Sequence, residues 1–194
     1  MDFERTSAFG SSGSRSAGLL LAALAALVAL VGACTTAGRA PGTADAVDPA
    51  DAIAEYREAV RLDPTNAELW LRLGQLYEQA GREEEALQSL EKGLEADPGN
   101  AGIMNHIGWL YATTENPTLR NPAKAIAYAQ RAVEATNGSD ANFLDTLAEA
   151  YYANQQFDEA IETELRALEI APGLEANQNQ LEKFRDAKAA ASGR

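Results

Sequence analysis

Apolar side chains from about residue 51 to 189 fall at helical spacing, and the same arrangement returns along the chain. In "WLRLGQLYEQAGREEEALQSLEKGLEADP", Trp70 to Pro98, the residues Trp70, Leu73, Gly74 and Tyr77 form one stripe of an amphipathic helix. Gly81-Arg82 interrupts the stripe. A second helix then carries Ala86, Leu90, Gly93 and Leu94 on one face until Pro98 stops it. The pattern predicts two helices joined by a tight turn.

The pair repeats. Gly74 and Gly108, Tyr77 and Tyr111, and Pro64 and Pro98 are each about 34 residues apart. Leu144, Leu147, Ala148 and Tyr151, followed by Ala160, Ala167 and Pro172, keep the same order. Each second helix holds small residues at two places: Ala52, Ala86, Ala125 and Ala160, then Ala59, Gly93, Ala132 and Ala167. Small side chains are needed where two helices cross at short distance.

This order of Trp, Leu, Gly, Tyr, Ala and Pro at this period resembles the tetratricopeptide repeat (TPR). The resemblance implies an all-α chain, a right-handed α-solenoid of helix–turn–helix units. It places an N-terminal half repeat at 51–66 and repeats at 67–100, 101–139 and 141–174, so that the solenoid spans 51–174. Residues 175–194 form a C-terminal capping helix and tail. In that last segment only Leu181, Phe184 and Ala187 make an apolar stripe, and a polar outer face is what closes such a stack against water. The second repeat departs from the pattern, because "ATTENPTLRNPAK" replaces a short turn with a longer one. Asn121-Pro122 reads as a helix cap with Pro at the first helical position. The insertion is either a tolerated surface loop or a contact loop.

In the resembled family the second, fifth, ninth and twelfth places of each first helix point into a concave groove. Carried over, these are Glu68, Leu71, Gln75 and Glu78, then Gly102, Asn105, Trp109 and Ala112, then Asn142, Asp145, Glu149 and Tyr152. The resemblance therefore implies a partner-binding groove of Leu71, Gln75, Asn105, Trp109, Asn142, Asp145, Glu149 and Tyr152. Trp109 and Tyr152 are either anchors for a bound peptide or packing across the groove. One TPR subclass clamps a terminal carboxylate with Lys and Asn, and no Lys stands at these places.

Ahead of the repeats, Ala17 to Ala33 is an uncharged apolar run. It is shorter than the roughly 20 residues that span a bilayer, as a signal peptide is. It ends in Val31-Gly32-Ala33-Cys34, which resembles the lipobox of bacterial lipoproteins. That resemblance implies a lipoprotein signal peptide at 1–33, lipidation at Cys34 with palmitate among the acyl chains, and a periplasm-facing protein. Thr35 follows the cysteine where an Asp would favour inner-membrane retention, so the resemblance favours the outer membrane. The alternative is an uncleaved inner-membrane helix. Residues 34–50 are small, polar and marked by Gly and Pro, and read as a flexible linker.

Charge narrows the partners. The 194 residues carry a formal net charge of −13, which argues against nucleic acid and anionic lipid surfaces. Chemistry finds little to work with. Cys34 is the sole cysteine and His106 the sole histidine, so neither a disulfide nor a His cluster for a metal can form. Glu83, Glu84 and Glu85 open a helix, where carboxylates favour the positive end of the dipole. The expectation is no enzyme, no catalytic residue, no metal, no cofactor and no small-molecule substrate. It is a lipid-anchored scaffold that binds a protein or peptide partner in the envelope. By architecture it is similar to the lipoproteins that assist pilus or secretion machinery. An inner-membrane regulator or substrate carrier is the alternative.

Overall fold

The computed structural model describes residues 49–173 and 175–193. These residues form eight helices: α1 (Pro49–Leu62), α2 (Ala67–Gln79), α3 (Glu83–Ala96), α4 (Ala101–Thr113), α5 (Pro122–Ala135), α6 (Ala141–Ala153), α7 (Phe157–Ile170) and α8 (Glu175–Ser192). The predicted signal peptide, Cys34 and nearly all of the predicted linker lie outside the described residues. The helix α1 begins at Pro49, so the last two residues of the 34–50 segment are helical and not linker. No helix among the described residues is long and apolar enough to cross a membrane.

The repeat is visible in helix lengths. The first helices of the three pairs, α2, α4 and α6, each have 13 residues, and α1, α3, α5 and α7 each have 14. Each first helix starts at a side-chain cap. Asn66 accepts from the amides of Glu68 and Leu69, Asn100 from Ile103, and Asp140 from Asn142 and Phe143. The turns inside repeats one and three close alike. Arg82 donates its amide to the carbonyl of Tyr77 while Gly81 donates to Glu78, and Gln156 and Gln155 repeat this with Tyr151 and Tyr152. The geometry needs a left-handed residue, supplied by Gly81 at φ 70° and, with a side chain's added strain, by Gln155 at φ 61°.

Packing runs through the predicted small positions. Ala86, Ala125, Ala160, Ala132 and Ala167 are fully buried, and Gly93 is buried. Ala52 and Ala59 are only half-buried, because no described helix precedes α1 to cover them. Gly108 shows how close the helices lie. A Cβ built there would stand 3.2 Å from the carbonyl oxygen of Ala125 and 3.2 Å from the nitrogen of Ala129, both backbone atoms of α5. The core stripes follow, with Leu73, Leu90, Ile103, Ile107 and Leu144 nearly or fully excluded from water. The last helix, α8, buries Leu181 and Phe184 against the third repeat and turns a polar face outward.

The inserted loop is tied down. The Thr114 hydroxyl donates to Glu83, and the Asn116 side-chain amide donates to Glu84 Oε1 at 2.8 Å. The backbone amide of Asn121 donates to the carbonyl of Tyr111 at 3.1 Å, and its side chain caps Lys124 at 3.0 Å with Pro122 in the first turn. Leu119 packs onto the core from within the loop. The carboxylates at the start of α3 thus do more than complement a dipole, because two of them fasten the insertion.

Candidate functional site

One side of the first helices α2 and α4 stays open. On α4 the residues with appreciable exposure are Ala101, Gly102, Asn105, His106, Trp109 and Thr113, a single stripe at helical spacing. The other faces of α4 are covered by α3, α5 and α6. On α2 the matching stripe is Glu68, Leu71, Gln75 and Glu78, whereas of the corresponding α6 residues Asn142, Asp145, Glu149 and Tyr152 only Asn142 is exposed. The two stripes of α2 and α4 are bridged by His106 Nε2, which lies 2.7 Å from Glu78 Oε2. His106 gave no sign of this role in the sequence. It sits one residue from a predicted groove position, opposite a carboxylate of the preceding repeat.

The eight groove candidates differ in what already occupies them. Leu71 leans on the core, and Gln75 accepts from Arg72 Nη1 at 3.1 Å. Asn142 is exposed, with no partner for its side chain among the described residues. Asn105 carries a buried Oδ1 that no donor reaches. Trp109 is half-buried, and its ring and its indole N–H have no partner among the described residues. The other tryptophan contrasts with it, since the Trp70 indole donates to the carbonyl of Pro64 at 2.9 Å.

Asp145, Glu149 and Tyr152 are covered by α8. Asp145 Oδ1 accepts from Gln180 at 3.1 Å and from Asn177 at 3.4 Å. Both oxygens of Glu149 accept from the Lys183 ammonium, at 2.7 and 2.9 Å, and Glu149 is only 8% exposed. Tyr152 stacks on Phe184 with centroids 5.0 Å apart, and Lys183 stands 4.4 Å above its ring. Sequence reasoning missed Lys183, Asn177 and Gln180, which lie on the polar side of the closing helix. Desolvation raises the Asp145 carboxyl above its usual range, opposed by the Gln180 hydrogen bond and reinforced by the Glu149 charge.

On the opposite side, a cavity of about 490 Å³ opens between α1, α2 and α3, walled by Arg57, Trp70, Tyr77, Glu85 and Lys92 among others. None of the groove candidates lines it. Among the described residues no three His, Cys, Asp or Glu side chains gather as a metal would require.

Comparison with known proteins agrees with this architecture. Sequence profiles of the tetratricopeptide repeat match residues 44–112 and 118–175. A peroxisomal targeting signal receptor of Komagataella phaffii is 26% identical over an alignment 162 positions long that covers 65% of this chain. The chain spans only 28% of that receptor's length. Among solved structures, MamA superposes with a TM-score of 0.62 at 27% identity, covering 73% of this chain and 80% of MamA. The first TPR domain of Spaghetti (RPAP3), solved bound to the HSP90 peptide SRMEEVD, superposes with a TM-score of 0.58 at 27% identity. That alignment covers 66% of this chain and 96% of that domain. The profile matches span the paired helices on both sides of the inserted loop, and the helix lengths, caps and buried small residues recur with them: the chain belongs to the tetratricopeptide repeat family.

Proposed function

We propose that the chain is a protein-interaction scaffold that holds a partner segment along the open face of α2 and α4, with Trp109 as its main anchor. The observation that carries this reading is the Trp109 indole, half-buried on an open stripe and without a partner among the described residues. Tryptophan in such a setting is the side chain most often found at the energetic centre of an interface. Relatives support the class of function, since one is a targeting-signal receptor and one superposes on a domain solved with a peptide. The occupant differs from that acidic peptide. The only lysine brought to the face by α8, Lys183, is already held by Glu149, and the chain is strongly acidic. A basic or neutral segment fits and an acidic one is repelled.

The test is titration of an array of extended peptides, graded from basic to acidic, against the wild type and Trp109→Ala. The indole N–H resonance of Trp109 reads binding directly. Binders should shift it, and Trp109→Ala should weaken them by about thirtyfold, or about 2 kcal/mol. If Trp109→Ala binds as tightly while substitutions in Asn116 to Asn121 abolish binding, the inserted loop is the site and the face is not.

In this reading the scaffold is tethered at Cys34 by acyl chains, faces the periplasm from the outer membrane, and serves assembly of an envelope complex. The support is the lipobox-like Val31-Gly32-Ala33-Cys34 at the end of an uncharged run. Two or three acyl chains hold a protein at a membrane where one does so only marginally. Cells fed a clickable palmitate analogue should label the wild type and leave Cys34→Ser unlabelled. Equal labelling of the two would favour the uncleaved inner-membrane helix.

A further inference from the structure

The interface between the third repeat and α8 breaks the apolar pattern at two matching places. One turn after the small residues Ala86 and Ala125, the second helices of repeats one and two carry Leu90 and Ala129, both fully buried. One turn after Ala160 the third repeat carries Glu164, also 0% exposed. The third residue of each first helix is Leu69, Ile103 and Phe143 in α2, α4 and α6, and in α8 it is Asn177, 4% exposed. A carboxylate and an amide therefore stand where the rest of the solenoid uses hydrocarbon.

The carboxylate is under-satisfied as well as buried. Among the described residues neither oxygen of Glu164 accepts a hydrogen bond of good geometry, the Asn177 amide being the nearest donor. Facing Glu164 from α6 are Asp145 and Glu149, and from α8 Asn177, whose amide lies between Glu164 and Asp145 and favours the charged form of Glu164, while the nearby Lys183 is engaged by Glu149. A negative charge at Glu164 would be desolvated and set beside two others, which is costly. A neutral Glu164 carries one O–H and has an acceptor at hand in Asp145.

We propose that Glu164 and Asp145 share one proton, and that this proton fastens α8 over the end of the third repeat, so that the cover loosens when the proton leaves. Burial, with the Asp145 charge next in weight, pushes the Glu164 carboxyl up to about 7, which places the release near neutrality. The direction follows from linkage. A carboxyl whose folded value is raised above its unfolded one stabilises below the unfolded value, and that stabilisation is lost as pH rises through the folded value. Loosening uncovers Glu149 and Tyr152, which α8 holds through Lys183 and Phe184. Any consequence for a bound partner rests on the open-face reading above, whereas the cover itself does not.

Hydrogen exchange on the full-length chain, corrected for the intrinsic pH dependence of exchange, tests the cover without a partner. Opening of α8 should rise about tenfold per pH unit between roughly pH 5 and 7 in the wild type, the slope of one released proton. In Glu164→Gln, which cannot ionise, that slope should vanish, and α2 and α3 should show none in either protein. Equal slopes in wild type and variant, or a slope shared by α2 and α3, overturns the proposal. Carbon-13 titration of the wild-type Glu164 carboxyl decides independently of whether the variant folds. A midpoint near neutrality supports the shared proton, and one at the ordinary carboxyl value overturns it.

Discussion

Replacing Phe184 with alanine should cost about 3–5 kcal/mol, the range for deleting a buried aromatic ring, and the loss should be confined to one end of the molecule. Phe184 is 0% exposed and is the largest side chain that α8 sends into the stack. It joins Ala148 and Ala160, with Tyr151, Tyr152 and Ile161 packed around them. Nothing else on α8 can make up for it. Leu181 is the other buried apolar residue described on that helix, and the remaining buried contact is the polar Asn177. Because a solenoid repeat touches only its neighbours, stability is close to a sum of local terms. Hydrogen exchange should therefore show α8 losing protection, with α6 and α7 partly exposed and α2 to α4 unchanged. A uniform loss over all helices would mean that the chain unfolds as one unit and that α8 is not a separable cover.

Gly108→Leu should destabilise the middle repeat by about 3 kcal/mol or more, near the upper end of the usual cost of overpacking. The obstruction is backbone. The atoms a Cβ would meet are the Ala125 oxygen and the Ala129 nitrogen, which move only if α5 moves away from α4. Gly74 is confined differently, since the nearest atoms there belong to the fully buried Leu90 side chain, with the Ala86 carbonyl oxygen 3.3 Å away. Gly81 offers a control. It has no neighbour within 4 Å but sits at φ 70°, so Gly81→Ala should cost only about 1–2 kcal/mol, through strain in the turn. Urea denaturation should rank Gly108→Leu as more damaging than Gly81→Ala. A neutral Gly108→Leu would mean that α4 and α5 cross farther apart than their backbones indicate.

The fold was legible because close helix crossing imposes a composition as well as a period. Ala86, Ala125 and Ala160 were found by being small at one spacing, and all three are fully buried. The open face was legible only in outline. Glu68, Leu71, Gln75, Glu78, Gly102, Asn105 and Trp109 keep some exposure, but Ala112 is buried in the core and Asp145, Glu149 and Tyr152 are engaged by Gln180, Lys183 and Phe184. Polar pairings between helices have no period, so a stripe analysis that looks for hydrocarbon catches Leu181 and Phe184 and passes over Asn177 and Lys183. Glu164 did leave a signal. It is a carboxylate at a register place held by Leu90 and Ala129, and only a comparison of repeats position by position would have raised it. His106 left none, because its partner Glu78 lies a full repeat away.

The bonds from Thr114 and Asn116 to Glu83 and Glu84 bear on how this chain can change length over generations. Arrays of this kind grow and shrink by gain or loss of whole units, which is harmless when each unit meets its neighbours through interchangeable surfaces. Here the second unit reaches back over its boundary and hooks onto the opening turn of α3 in the first. Deleting the second unit would strip Glu83 and Glu84 of their partners, and inserting a standard unit between the two would carry the hook out of reach. These two units should therefore be retained together, with variation in repeat number falling on either side of them.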